Sequence, residues 1–89
     1  MATINQGIIT INNTTATNLL LYPLKSIVLQ NIDPSATIYI GNTAVTSSAY
    51  GFKLAPNQFI NLAGFNTAEQ IYVISSVASS QISVMYLTV

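Results

Sequence analysis

The stretch Ser26-Ile27-Val28-Leu29-Gln30-Asn31-Ile32-Asp33-Pro34-Ser35-Ala36-Thr37-Ile38-Tyr39-Ile40-Gly41-Asn42 decides the fold. Two runs of β-branched and aliphatic residues flank Asp-Pro-Ser, and Gly-Asn closes the second run, which is the punctuation of strand, turn, strand, turn. Pro34 presets φ and the Asp33 carboxylate can bond the backbone beyond it, so the chain reverses there. No convincing 3.6-residue apolar period competes with this reading.

The same punctuation repeats in both directions. It predicts strands over 7–12, 16–21, 26–32, 37–40, 50–54, 58–62, 70–75 and 81–88. Asn12-Asn13-Thr14-Thr15 reads as a hairpin turn, with Asn suited to positive φ. Gly41-Asn42-Thr43, Ala55-Pro56-Asn57, Ala63-Gly64-Phe65-Asn66 and Ala78-Ser79-Ser80 are the later turns, and a short helical turn is expected over 67–70. The fold class is all-β: a single small β-sandwich or jelly-roll-like domain of about eight short antiparallel strands. It spans residues 1–89, with residues 1–6 as an extended N-terminal arm. Strand order depends on contacts, so sandwich and jelly roll both stay open.

Composition narrows the chemistry. The four charged residues among 89 are Lys25, Asp33, Lys53 and Glu69, and there is no Arg, His, Cys or Trp. General acid–base catalysis, activated nucleophiles and metal ligation draw on the missing residue types, so the chain is not expected to be an enzyme or to hold a cofactor or metal. Asp33 and Glu69 stand far apart, which supports neither a calcium cage nor a paired carboxylate site, and Asp33 reads as a turn former. A formal net charge of zero provides no basic face for nucleic acid or for an anionic membrane surface. The amino terminus lacks the charged and apolar regions of a signal peptide, and the apolar runs fall far short of the ~20 residues of a spanning helix. A soluble protein made inside a cell is the expectation. A domain of this length buries roughly 60 to 65% of its unfolded surface, enough for a modest core without disulfides.

So little charge leaves strand edges without the Lys residues that discourage pairing with other chains. A homo-oligomer or a permanent seat in a larger assembly is therefore expected. Ile71-Tyr72-Val73-Ile74 and Ile82-Ser83-Val84-Met85-Tyr86-Leu87 are apolar at both parities, whereas a half-solvated strand alternates. Either both faces are covered, one by the core and the other by the amino-terminal segment or a neighbouring subunit, or these are central strands with large residues on an ordinary surface.

Residues 26–88 carry a resemblance. Ser26-Ile27-Val28-Leu29-Gln30-Asn31, then Thr37-Ile38-Tyr39-Ile40-Gly41, Val45-Thr46, Tyr50-Gly51-Phe52-Lys53-Leu54-Ala55-Pro56-Asn57-Gln58 and Ile71-Tyr72-Val73-Ile74-Ser75 follow one another as in small tailed-phage virion proteins. The chain resembles that group in the order and spacing of these short elements. It departs from the pattern at Asn57-Gln58, where Gly-Glu is usual, which removes a surface charge and keeps the turn chemistry. The resemblance implies a β-sandwich or jelly-roll module on the capsid, neck or tail tip of a virion, without fixing which; the expected location is the capsid exterior, after assembly in the bacterial host cytoplasm.

The expected function is that of a capsid decoration or cement protein whose partner is the major capsid protein, and which forms homo-oligomers, a trimer before other states. The alternatives are a low-copy tail, neck or fibre component, and a host-glycan-binding module in which Tyr side chains stack on sugars. The expected partner contacts are Ala2, Thr3 and Ile4 on the arm, the aromatic pair Tyr50 and Phe52, and Phe65 in a turn. An arm adds a strand to a neighbour's edge through main-chain bonds.

Overall fold

Among the described residues the regular elements are all strands and none is a helix. The computed structural model describes residues 3–19, 24–63 and 71–88, with the backbone alone at Thr3, Leu24, Lys25 and Thr88. In chain order the strands are β1 (Thr3–Ile11), β2 (Thr17–Asn18), β3 (Leu24–Asn31), β4 (Ile38–Gly41), β5 (Phe52–Leu54), β6 (Phe59–Ala63), β7 (Tyr72–Ser75) and β8 (Ser80–Thr88). They form two four-stranded antiparallel sheets, ordered β1-β8-β3-β6 and β2-β7-β4-β5. The chain changes sheet at every connection except β4 to β5, which is the interleaved order of an eight-stranded jelly roll.

The core lies between the sheets. Ile27, Leu29, Ile82 and Val84 of the first sheet face Ile38, Ile40, Leu54 and Val73 of the second, each buried to 5% exposure or less. Alternation along each strand sends these residues inward and their neighbours outward. Ile11 and Leu19 close the core near the β1 to β2 corner.

Turn chemistry follows the sequence closely. The Asp33 carboxylate accepts from the Ser35 and Ala36 N–H groups, both at 3.0 Å, as a turn former should. In Ala55-Pro56-Asn57-Gln58, Asn57 has φ 68° and the Gln58 N–H donates to the Ala55 carbonyl at 3.0 Å, a type II turn with Pro and Asn at the positions that favour it. Gly41 sits in a tight spot, because a Cβ there would meet Val45 Cγ2 at 3.1 Å and push it back by a few tenths of an ångström.

Two expectations are corrected. Residues 3–6 do not extend as an arm; they continue β1, with Ile4 opposite Leu87 and Gln6 opposite Met85. Their partners come from the far end of the chain, so adjacency in sequence gave no hint of the pairing. Asn12-Asn13-Thr14-Thr15 is no hairpin, for it carries the chain from one sheet to the other. Asn12 acts there through its side chain, whose Oδ1 accepts from the Thr14 and Thr15 N–H groups at 3.0 and 2.8 Å, and no residue of that turn has positive φ. Phe65 and the helical turn over 67–70 lie outside the described residues, as does Ala2.

One polar residue organises the interior. Asn31 is fully buried at the end of β3. Its Nδ2 donates to the Ala36 and Leu54 carbonyls at 2.7 and 3.0 Å, and its Oδ1 accepts from the Asp33 N–H at 3.0 Å. Its own backbone N–H donates to the Gln58 carbonyl, and its carbonyl accepts from the Asn57 N–H at 2.8 Å. A single residue thus ties β3, the loop after it and β5 through its side-chain amide, and the β5 to β6 turn through its backbone.

Candidate functional site

The outward side of the β1-β8-β3-β6 sheet can be built row by row from its register. Ile4, Leu87, Ser26 and Ala63 form one row, Gln6, Met85, Val28 and Asn61 the next, and Ile8, Ser83, Gln30 and Phe59 a third. Because Ile27, Leu29, Ile82 and Val84 occupy the inward parity, these residues point away from the core. None of them is charged.

The apolar members are well exposed: Ile4 at 69%, Phe59 at 66%, Ile8 at 63% and Met85 at 50%. Two shallow grooves cross the face. Ile4, Ser26, Val28, Met85, Tyr86 and Leu87 line one, and Gln6, Gly7, Ile8, Ser83 and Val84 line the other. Scattered exposed apolar residues are normal, but an apolar and uncharged sheet face next to an open edge is the pattern of an interaction surface.

The two double-parity strands therefore resolve differently. In β7 both Val73 and Ile74 are buried, so both of its sides are covered. In β8, Ile82 and Val84 enter the core, whereas Met85 is half exposed and Leu87 partly so, and no described residue covers them.

Tyr50 and Phe52 are both exposed but do not form one patch. Tyr50 packs on Tyr39, ring centroids 4.9 Å apart and planes tilted by 47°, beside a groove lined by Gly41, Asn42, Ala44 and Ala49. Phe52 shares the inward parity of Leu54 and lines a separate apolar cleft with Ile40, Ile60, Leu62 and Ile71. Tyr72 is half-buried and hydrogen-bonded to Asn18 at 3.2 Å. Of the sequence-derived contacts, Thr3 and Ile4 lie on β1, and Ile4 belongs to the uncharged face. Ile8, Val28, Phe59, Met85 and Leu87 were not among them. The signal for Met85 and Leu87 was present in the double parity of β8, whereas Ile8 and Phe59 acquire their place only through strand order.

No chemical site emerges among the described residues. No group of three or more His, Cys, Asp or Glu side chains converges, and no buried side-chain nitrogen or oxygen lacks a partner. No helix is long and apolar enough to cross a membrane. Comparison with protein-family models, with curated proteins and with solved structures finds no match.

Proposed function

We propose that this chain is a non-enzymatic structural protein of a tailed-phage virion, a decoration or cement module that docks on the capsid lattice through the outward side of its β1-β8-β3-β6 sheet. The observation that carries the reading is the uncharged face on which Ile4, Ile8, Met85 and Phe59 are exposed around Val28. Such a face recognises another protein by apolar contact and shape, since it offers nothing for phosphate, metal or proton transfer. The order of short motifs over residues 26–88 and the jelly-roll topology support the same reading.

The mechanism is passive. Burying this face between capsid subunits raises the free energy needed to separate them. At about 25 cal/mol per Å² of apolar area, each contact gains only a few kcal/mol after the costs of association, so the shell is strengthened through copy number. Quantitative mass spectrometry of purified virions tests this directly. A ratio to the major capsid protein near one, or a simple fraction of it, is expected. A handful of copies per particle would move the protein to the tail or neck, and absence from virions would end the structural reading.

A second reading keeps one specific observation: the Tyr39–Tyr50 pair borders an open groove with Asn42 at its rim. Aromatic faces beside polar groups suit a sugar ring. Glycan-array binding that disappears in Tyr50→Ala would favour host attachment over capsid docking.

A further inference from the structure

Among the described residues the β1-β8-β3-β6 sheet has two unpaired edges, that of β6, with five residues, and the longer one of β1, with nine. Hydrogen-bond directions alternate along antiparallel strands, so the groups that face this edge can be identified. At the opposite end of the sheet, Asn31 bonds toward the β5 to β6 turn with both its N–H and its carbonyl. Alternation then directs Gln30, Val28 and Ser26 toward β8, and Ile82, Val84 and Tyr86 toward β1 through their partners Ile9, Gly7 and Asn5. Ile4, Gln6, Ile8 and Thr10 are left with backbone N–H and carbonyl groups aimed at the open edge.

From this edge we infer that two copies of the chain pair through β1, antiparallel about a two-fold axis at Gln6, joining their sheets into one of eight strands. The pattern Ile4-x-Gln6-x-Ile8 is a palindrome about Gln6. Antiparallel pairing in this register sets Ile4 opposite Ile8 of the partner subunit, Ile8 opposite Ile4 of the partner subunit, and Gln6 opposite Gln6 of the partner subunit. Apolar meets apolar in direct cross-strand pairs. A residue on a two-fold axis meets its own copy, and a glutamine amide, which both donates and accepts, can bond to itself where a charge would repel. Moving the axis to Gly7 would set Ile4 opposite Thr10 and Gln6 opposite Ile8, which mismatches both pairs.

Gly7 supplies a second, independent observation. A Cβ built there meets nothing within 4 Å, and Gly7 is not among residues with positive φ, so neither packing within the protomer nor backbone conformation calls for glycine. Glycine within a strand weakens it and commonly marks the close approach of another backbone. In the inferred register Gly7 stands opposite Asn5 of the partner subunit, in the pair next to the axis that is not hydrogen-bonded, where Cα atoms approach to about 4.5 Å.

Nothing on β1 opposes the pairing. Its nine residues include no Lys, no Pro and no inward charge, the devices that normally blunt an edge. The competing edges are shorter: β6 has five residues, and β2 and β5 of the other sheet have two and three, so β1 offers the longest ladder to a second copy. An isologous edge contact closes at two copies, which differs from the trimer expected with the capsid decoration reading. The inference does not rest on the virion reading, because it concerns the purified chain alone.

Sedimentation equilibrium of the wild type, of Gln6→Lys, of Gln6→Glu and of an equimolar mixture of the two variants tests it. The wild type is expected to be a concentration-dependent dimer. Each variant alone should associate about tenfold or more weakly, because like charges then face each other across the axis. The mixture should recover dimers, now with opposite charges paired, and that recovery shows that both variants fold. A wild type that stays monomeric up to its solubility limit, a trimer, a variant that dimerises like the wild type, or a mixture that stays monomeric would each overturn the inference.

Discussion

Two polar regions of this molecule stand in contrast: the buried amide of Asn31, and the open backbone of β1. Every group of Asn31 has a partner within the fold, its side chain bonding to Ala36, Leu54 and Asp33 and its backbone to Asn57 and Gln58. The Ser75 and Ser80 hydroxyls repeat the pattern, bonding to each other at 2.7 Å while Ser80 donates to the Val77 carbonyl. The outward groups of β1, by contrast, face away from the sheet along nine residues. A protein that saturates its buried polar groups so fully with almost no charge shows that uncharged side chains suffice for internal order. Among the described residues, nothing covers the β1 edge or the sheet face beside it. The interior is held by saturated hydrogen bonds, and the β1 edge and the face beside it are open.

The strongest way to break this contrast is Asn31→Ala. It strands the Ala36 and Leu54 carbonyls and the Asp33 N–H, and should cost about 4 kcal/mol, leaving a domain of this size close to unfolding. Urea denaturation measures it, and a loss under about 1 kcal/mol would mean that water replaces the amide without penalty. Next comes a matched pair, since Leu29 faces the core and Met85 the exterior on adjacent strands. Leu29→Ala should cost about 3 kcal/mol by leaving a cavity, whereas Met85→Ala should change the isolated domain by under about 0.5 kcal/mol. The same Met85→Ala variant should weaken docking to capsids. Equal losses of stability from the two substitutions would show that the outer face is covered within the protomer. Smaller still is Asn57, held at φ 68°. Asn57→Ala should cost about 1 kcal/mol, while Asn57→Gly, which adopts this conformation freely, should be nearly neutral by thermal melting.

Local chemistry was legible in the sequence, and long-range chemistry was not. All eight strands and the Asp33 and Asn57 turns follow from residues within a few positions of one another. Asn12 was recognisable as a turn residue, but whether the chain there doubles back within a sheet or crosses to the other depends on where β2 finds its partner β7. Residues 3–6 looked like a free arm because β8, which pairs with them, is the last strand of the chain. Asn31 looked like an ordinary strand end, since two of its amide's three partners lie within five residues but the third, Leu54, is 23 positions away. For the candidate face, the doubled apolar parity of β8 was the one visible sign. Its meaning required the register that places Met85 beside Val28 and Gln6.

The gentlest test bears on the exterior alone. None of the described outward side chains of the β1-β8-β3-β6 sheet is charged, whereas the outward side of the other sheet carries the exposed Lys53 opposite Tyr39. An interface built on the first face gains nothing from electrostatic steering, so its affinity should hold within about twofold as salt rises across the range that collapses the Debye length from ~10 Å to ~3 Å. An interface built on the Lys53 side and facing an acidic partner should weaken over the same range. Isothermal titration against capsids lacking this protein, repeated at the two salt levels, separates them. A steep loss of affinity would transfer the docking role to the sheet that carries Lys53 and leave the β1 edge as a contact between copies alone. A flat or slightly rising affinity, together with insensitivity to Lys53→Ala, would tie docking to the same uncharged face that the edge of β1 borders. Apolar burial would then be its driving force, since that term strengthens rather than fades when salting-out anions replace chloride.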